Sequence, residues 1–145
     1  MDHLPRTTVP LVLDGTRVMG SEKKTGYLAL NRKEALKFIK QKKPYLYLKV
    51  MTDPSDVPLM ERAECVITLD GGPGCHAAII CRMKNIDLLT NVQNVDLRLS
   101  VTYHPGERVG TYMDESGDDH YLDICRDEKH TVDGSRLTLE TKIAR

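Results

Sequence analysis

The chain has 145 residues, 40% of them hydrophobic and 29% charged, which is typical of one soluble globular domain with a sizeable core. Lysine and arginine together number 21, as do aspartate and glutamate, so no net charge favours nucleic acid or an anionic membrane as a partner. No apolar run reaches the roughly 18 residues of a membrane span. The N-terminus also lacks the apolar core of a signal peptide. We therefore expect a cytoplasmic protein that binds neither nucleic acid nor membrane.

The first 30 residues predict a β-hairpin. Residues 9–13 have strand composition, and residues 27–30 could form the return strand. Between them the chain is interrupted by glycines, which favour turns. These glycines are Gly15, Gly20 and Gly26.

An amphipathic surface helix is expected next. Asn31 is a good N-cap, and Glu34 follows it at the spacing of a capping box. The apolar residues of this segment recur at helical spacing, and the helix should end before Pro44. Residues 45–50 then read as a strand.

A second helix is predicted after this strand. Thr52 or Asp53 can cap it, Pro54 fits its first position, and Asp56 suits its first turn. The helix leads into a short apolar strand at residues 65–69.

A glycine-rich turn separates that strand from a nearly all-apolar helix. The turn and the helix read Asp70-Gly71-Gly72-Pro73-Gly74 and Cys75-His76-Ala77-Ala78-Ile79-Ile80-Cys81-Arg82. We expect a helix at residues 74–84, buried on most sides and at Ile79 and Ile80 in particular. His76 falls in its first turn and should be accessible to solvent.

His76 is the candidate nucleophile. The first N–H groups of a helix lack partners within the helix and carry partial positive charge, so they suit an anion. Glycines allow the backbone to approach a phosphate closely. A free imidazole has a pKa of about 6.5, so at neutral pH it is mostly uncharged and nucleophilic. The same spacing, with His76 on a stripe with Ile79, Ile80 and Met83, also fits a structural histidine.

Two segments resemble a known family. The pattern Gly-Gly-x-x-Cys-His-Ala-Ala-Ile-Ile-x-Arg is similar to the phosphohistidine motif of the phosphoenolpyruvate-utilising enzymes: phosphoenolpyruvate synthase, pyruvate phosphate dikinase and enzyme I of the sugar phosphotransferase system. It looks most like the synthase branch. Residues 51–63, Met-Thr-Asp-Pro-Ser-Asp-Val-Pro-Leu-Met-Glu-Arg-Ala, resemble the segment that precedes the motif in the synthases. The resemblance is good from about Gly15 to Asn91, weak to about Asp123 and absent beyond.

The resemblance implies a fold and a set of site residues. The fold is an α/β swivelling domain with mixed β-sheets around a buried central helix and with flanking helices. It would cover residues 1–125, followed by a C-terminal extension at 126–145. His76 would carry the phosphoryl group, and the loop with Thr52 and Asp53 would lie beside it. Phosphate-binding positions would be Gly71, Gly72, Gly74 and Cys75.

The implied function is that of a phosphocarrier within a phosphotransferase. A nucleotide-binding domain would phosphorylate His76, and a separate domain would exchange the group with pyruvate or phosphoenolpyruvate. Mg-ATP and phosphoenolpyruvate are expected on those partner domains, with no cofactor on this chain. Its sequence has no nucleotide-binding glycine loop, so we expect no turnover by the chain alone.

One departure from the family leaves a second function open. Gly74 stands where the family usually has threonine, so a hydroxyl near the phosphoryl site is missing. The alternative is therefore a binding or regulatory module, detached from catalysis, that docks onto a partner enzyme.

No metal site is expected. The four cysteines fit no metal-ligand spacing, and the acidic loop at residues 115–119 lacks the ladder of a calcium site. Strands are predicted at 86–90, 95–103, 109–113 and 121–125, with a turn at Pro105-Gly106. Asp133-Gly134 indicates a hairpin. We expect this last hairpin either to add a strand to the sheet or to pair with a second copy of the chain.

Overall fold

The structure is a computed structural model, and it describes residues 8–72, 74–94, 99–101, 110–113 and 116–144. A single 3-10 turn, Pro54–Asp56, precedes the second helix. The strands and helices are, in chain order, β1 (Thr8–Met19), β2 (Lys24–Ala29), α1 (Arg32–Lys40), β3 (Tyr45–Lys49), α2 (Val57–Arg62), β4 (Cys65–Thr68), α3 (His76–Lys84), β5 (Leu88–Asn94), β6 (Leu99–Val101), β7 (Gly110–Met113), β8 (Asp119–Ile124), β9 (His130–Asp133) and β10 (Arg136–Ala144).

Strand β1 closes the sheet into a barrel. Its first half pairs antiparallel with β10, and its second half pairs antiparallel with β5. The strands in the described residues follow the order β1-β5-β4-β3-β2-β9-β10, and the β1–β10 pairing completes the ring. From the far end of β10, the antiparallel strands β8, β7 and β6 extend the sheet.

The helices lie on the outside of this barrel. Strands β2, β3, β4 and β5 run parallel to one another, and each consecutive pair is joined through a helix. Parallel neighbours need such crossover connections, because a short turn cannot return the chain to the starting end of the next strand. Therefore α1, α2 and α3 cover the parallel part of the barrel.

Two apolar clusters follow from this arrangement. The inner cluster fills the barrel with alternate strand residues, among them Leu11, Leu46 and Leu137, each 0% exposed. The outer cluster joins the opposite faces of the strands to the helices. Side chains alternate between the two faces of a strand, so β3 serves both clusters: Leu46 points inward and Tyr47 outward.

The predicted N-terminal hairpin is wrong. Strand β1 does not turn at Gly15 but continues to Met19, and β2 pairs with β3 and β9 instead of β1. Gly15 lies where the register between β1 and β5 shifts, between Asp14 and Thr16. A Cβ atom there would lie 2.7 Å from the carbonyl oxygen of Thr90. This glycine thus permits a close approach of two strands rather than a reversal of the chain.

The expected burial of α3 on most sides is also wrong. This helix does begin at His76, but it lies outside the barrel rather than at its centre. Ala77, Ala78 and Cys81 are at most 2% exposed and pack against the sheet, whereas Ile79 is 47% exposed. An all-apolar composition does not reveal which face of a helix meets the sheet, and here the small residues do.

Several local predictions are confirmed. Asn31 caps α1 by accepting from the Glu34 N–H at 2.9 Å, and the helix ends before Pro44. The Asp133-Gly134 turn joins β9 to β10. The predicted turn at Pro105-Gly106 lies outside the described residues.

Residues 126–144, which the sequence assigned to an extension, supply two strands of the barrel. Strand β9 pairs with β2, and β10 pairs with β1. Thus the hairpin lies within the ring of strands. How the chain divides into a domain and an extension stays a prediction.

Three of the four cysteines are buried, and none forms a disulfide. Burial raises the pKa of the Cys65 and Cys81 thiols to about 12, so both remain protonated and apolar in character. The described part of the chain contains no group of His, Cys, Asp or Glu side chains arranged to hold a metal ion. No helix in that part is long and apolar enough to cross a bilayer.

A buried histidine should make the barrel sensitive to acid. His130 is 0% exposed, its Nδ1 accepts from the Glu140 N–H at 2.9 Å, and its Nε2 lies 3.1 Å from the Cys125 carbonyl oxygen, to which it donates. Burial lowers the pKa of this imidazole to about 4, and the hydrogen bond to Cys125 acts in the opposite direction. Between pH 6.5 and 4 the unfolded chain therefore binds a proton that the folded chain does not.

We predict that the free energy of unfolding falls as the pH drops from 6.5 towards 4, with His130 contributing about 3 kcal/mol at most. Urea denaturation across this range, on wild type and His130→Gln, measures the effect. The variant lacks the titrating group and should show a shallower loss, and equal pH slopes for the two proteins would contradict the prediction.

Candidate functional site

The site lies at the carboxyl ends of two neighbouring parallel strands. Strand β3 leads into the loop at residues 50–56, and β4 leads into the turn at residues 69–75. Two backbone hydrogen bonds hold these segments together: the Leu69 N–H donates to Lys49 O at 3.1 Å and the Asp70 N–H to Val50 O at 2.9 Å. Connections at this edge of an α/β sheet are a common place for ligand sites.

The two segments bring Thr52 against His76. The Thr52 hydroxyl oxygen lies 3.1 Å from Nδ1 of the imidazole. Thr52 is buried, whereas His76 is half-buried at the first position of α3. The expectations that His76 begins the helix within reach of solvent and that the Thr52 loop lies beside it agree with this geometry.

The hydrogen bond to Thr52 distinguishes the two ring nitrogens. A neutral imidazole has one donor nitrogen and one acceptor nitrogen, and a hydroxyl can serve either. When Nδ1 carries the proton and donates to Thr52, the lone pair is on Nε2. Among the described residues Nε2 has no hydrogen-bond partner. The arrangement therefore suits Nε2 as the nucleophilic atom.

The glycine-rich turn is shaped mainly by Gly71. Its φ of +128° is a conformation that L-amino acids rarely adopt, and a Cβ atom there would lie 2.8 Å from Sγ of Cys75. Gly72 and Gly74 have neither restriction, since a Cβ atom at either would have no atom within 4 Å. Of the predicted phosphate-binding glycines, only Gly71 is thus demanded by the local backbone.

The backbone N–H groups near His76 differ in availability. The Cys75 N–H donates to the Gly72 carbonyl at 3.1 Å, so a phosphate would have to share it. The N–H groups of Gly71 and Gly72 have no acceptor among the described residues. The first N–H groups of α3 also lack partners within the helix, as in any α-helix. That these donors bind phosphate stays a prediction.

The two segments next to His76 carry carboxylates but no basic side chain of their own. Residues 50–56 and 69–75 contain Asp53, Asp56 and Asp70 but no lysine or arginine. Lys49, at the end of β3, is paired with Asp56. Arg32 of α1 also reaches this loop, since its guanidinium donates to the Ser55 hydroxyl.

Sequence reasoning gave Asp56 only the role of a helix-start residue. In the structure its buried carboxylate accepts hydrogen bonds from the Tyr47 hydroxyl and from the Lys49 ammonium. Burial, and then the bond to Asp56, raises the pKa of Tyr47 well above its usual value. The capping-box spacing of Asp53 and Asp56 is the signal that could have indicated this residue.

The neighbouring Asp53 caps the 3-10 turn. Its side chain accepts from the Ser55 N–H at 2.8 Å and from the Ser55 hydroxyl. These hydrogen bonds lower the pKa of the exposed Asp53 carboxyl. Helix capping is therefore the observed role of Asp53, and a role in phosphate chemistry stays a prediction.

The conformation of Gly71 makes a specific stability prediction. Gly71→Ala should lower the free energy of unfolding by about 1–3 kcal/mol, because the residue would be held at an unfavourable φ and its Cβ would collide with Cys75 Sγ. Gly72→Ala is the matched control and should change stability by about 0.5 kcal/mol or less. Urea denaturation measures both, and equal losses for the two variants would contradict the assignment of the strained position.

Comparison with known proteins identifies the family. The family model described as "PEP-utilising enzyme, mobile domain" matches residues 48–136. Phosphoenolpyruvate synthase of Deinococcus radiodurans is 38% identical over 80 residues, which cover 55% of this chain and 10% of the relative. A probable phosphoenolpyruvate synthase of Methanothermobacter thermautotrophicus is 43% identical over 49 residues, covering 34% and 7% of the two chains.

Phosphoenolpyruvate synthase of Pseudomonas aeruginosa is 46% identical over 44 residues, covering 30% of this chain and 6% of the relative. The aligned part thus spans about a tenth or less of these curated relatives. The family match covers more than half of the chain and contains both Thr52 and His76. The chain therefore belongs to the family of mobile domains of phosphoenolpyruvate-utilising enzymes.

Proposed function

We propose that this chain is a phosphocarrier, in which Nε2 of His76 accepts and then donates a phosphoryl group. The observation that carries the proposal is the pairing of Thr52 with Nδ1 at 3.1 Å, which leaves the other ring nitrogen for chemistry. The half-buried position of His76 at the start of α3 supports it further, because an acceptor must be reached by a donor bound to another domain.

The transfer step needs only the imidazole ring and a phosphoryl donor. The Nε2 lone pair attacks phosphorus, the bond from phosphorus to the donor's leaving oxygen breaks, and its electron pair departs with that oxygen. The ring then carries a phosphoryl group on Nε2 and a proton on Nδ1. Thr52 accepts a hydrogen bond from this proton, and its hydroxyl can instead donate to Nδ1 once the proton leaves. The return step reverses the bond changes.

The proposed partners are domains that would supply cationic groups and metal ions for the transfer. Catalysis of phosphoryl transfer consists of positioning and charge neutralisation by metal ions, lysine and arginine. The two segments around His76 supply no cationic side chain. The relatives named phosphoenolpyruvate synthase are ten or more times longer than the aligned regions. We propose that Mg-ATP and phosphoenolpyruvate or pyruvate are bound by such partner domains, and that the chain alone turns over neither.

The outer face of α3 is the surface that would meet these partners. At 100° per residue, His76, Ile79 and Met83 lie on the side opposite the buried alanines. Ile79 is 47% exposed and Met83 is 75% exposed. Met51, next to Thr52 in the chain, is 64% exposed. Large exposed apolar side chains grouped around a reactive residue favour contact with another protein surface.

The alternative function is a binding module that docks through this same face without phosphoryl transfer. The exposure of Ile79 and Met83 supports both functions, and Gly74 in place of the family threonine favours the alternative. In a binding module, His76→Ala would retain binding to the partner enzyme, and neither wild type nor the variant would be labelled.

Labelling distinguishes the two functions. The purified chain is incubated with ATP and a phosphoenolpyruvate synthase whose own phosphoryl-accepting histidine has been replaced, and acid-labile phosphohistidine is measured. We expect labelling of wild type and a loss of at least about tenfold in His76→Ala, because the nucleophile is removed. His120→Ala, at a half-buried position on β8, is the matched control and should be labelled like wild type. Equal labelling of both variants would contradict the assignment of His76.

Docking can be tested separately from chemistry. Ile79→Glu places a charge on the face around His76 and should lower the rate of labelling by the synthase about tenfold, or about 1.4 kcal/mol, because the charge would lose hydration in the complex. Leu36→Glu on α1 is the matched control, since Leu36 is 52% exposed on another helix.

Labelling by phosphoramidate, a small donor that needs no docking, should be unchanged in both variants. An equal effect of the two glutamates on transfer from the synthase would contradict docking through α3.

A further inference from the structure

A buried carboxylate lies behind the loop that carries Thr52. Asp56 is 1% exposed and accepts hydrogen bonds from three groups. The Tyr47 hydroxyl donates to Oδ1 at 2.6 Å, the Lys49 ammonium lies 3.0 Å from Oδ2, and the Asp53 backbone N–H donates to Oδ2 at 2.9 Å. A buried carboxylate is retained only when it is paired and hydrogen-bonded, and these donors meet that requirement.

The hydrogen bond from the Asp53 N–H to Asp56 acts on the backbone next to Thr52. The N–H of Asp53 belongs to the same planar peptide group as the Thr52 carbonyl. Because Asp56 accepts from that N–H, it fixes the orientation of the peptide bond between Thr52 and Asp53. The Asp56 N–H also donates to Asp53 O at 2.9 Å, so two hydrogen bonds of opposite direction join Asp53 and Asp56. Hydrogen bonds from Tyr47 and Lys49, both on β3, in turn fix the Asp56 carboxylate.

We infer that Asp56 is a positioning residue for His76, acting through Thr52. The path is continuous: β3 holds the Asp56 carboxylate, the carboxylate holds the peptide between Thr52 and Asp53, and the Thr52 hydroxyl contacts Nδ1 of His76. Its consequence is that the Thr52 hydroxyl stays against Nδ1, which influences which ring nitrogen carries the proton and leaves Nε2 as the nitrogen open to a phosphoryl donor. The use of Nε2 in phosphoryl transfer rests on the proposed function; the placement of the Thr52 hydroxyl against Nδ1 does not.

If Asp56 only supported the fold, its replacement would affect stability but not the His76 tautomer. Loss of a supporting carboxylate would lower the stability of the fold, yet in the folded population the imidazole would keep its tautomer. A positioning role changes the tautomer ratio at temperatures where the variant is still fully folded. The long-range 1H–15N NMR spectrum of the His76 ring reports which nitrogen carries the proton and therefore separates the two.

The experiment compares Asp56→Asn with wild type at a pH where the ring is neutral. The amide nitrogen of asparagine cannot accept, so at least one of the three donors loses its partner. We expect the ratio of the Nδ1–H to the Nε2–H tautomer to change about fivefold, and Thr52→Val to change it in the same direction by a similar factor. Labelling by phosphoramidate should shift from Nε2 towards Nδ1 in the same variants.

Asp87→Asn is the matched control. Asp87 is a partly buried carboxylate paired with Arg17 at 2.9 Å, and it lies just beyond the opposite end of α3 from His76. Its loss should reduce stability without changing the His76 tautomer ratio. If Asp56→Asn fails to fold, Tyr47→Phe removes one donor while keeping the ring and should shift the ratio in the same direction by a smaller amount.

The outcomes are separable. An unchanged tautomer ratio in folded Asp56→Asn and Tyr47→Phe overturns the inference, as does an equal change in Asp87→Asn. An absence of any phosphohistidine on wild type overturns the proposed function, while a shifted ratio in Asp56→Asn would still support the positioning role.

Discussion

Closure of the barrel by β1 is the constraint on which the rest of the structure depends. This strand is long enough to pair with β10 through its first half and with β5 through its second half. The pairing leaves no open edge between these strands and encloses the inner leucine cluster. Gly15 makes the change of partner possible, because a side chain there would collide with the Thr90 carbonyl. The parallel strands and their outer helices are then fixed to one side of a closed ring.

The geometry of the candidate site follows from that parallel half. Neighbouring parallel strands end at the same edge of a sheet, so the segments after β3 and β4 meet there. Thr52 comes from one segment and His76 from the other, although 24 positions separate them in the chain. A change in the register between β3 and β4 would move the hydroxyl away from the imidazole. The chemistry proposed for Nε2 therefore depends on a backbone pairing, not on the motif around His76 alone.

The charges and the apolar surface around His76 are consistent with the proposed transfer to and from other domains. The segments beside His76 offer backbone N–H groups and carboxylates but no cationic side chain. The outward side of α3 offers Ile79 and Met83. Under the proposed function, the chain would hold a phosphoryl group on His76, and cationic groups of partner domains would help to stabilise charge in the transition state. This agrees with membership in a family of mobile domains.

The sequence by itself determined the local features of the site. Glycines after an apolar strand predict the turn, and capping residues predict where α1 and the 3-10 turn begin, because such preferences depend on neighbours within a few positions. Motif resemblance identified His76 and the loop of Thr52. The tertiary structure alone decided which strand pairs with β1, because strand pairing depends on barrel closure. It also decided that the alanine side of α3 faces inward, and that Tyr47 and Lys49 hold Asp56, since these contacts join residues whose proximity only the packed sheet creates.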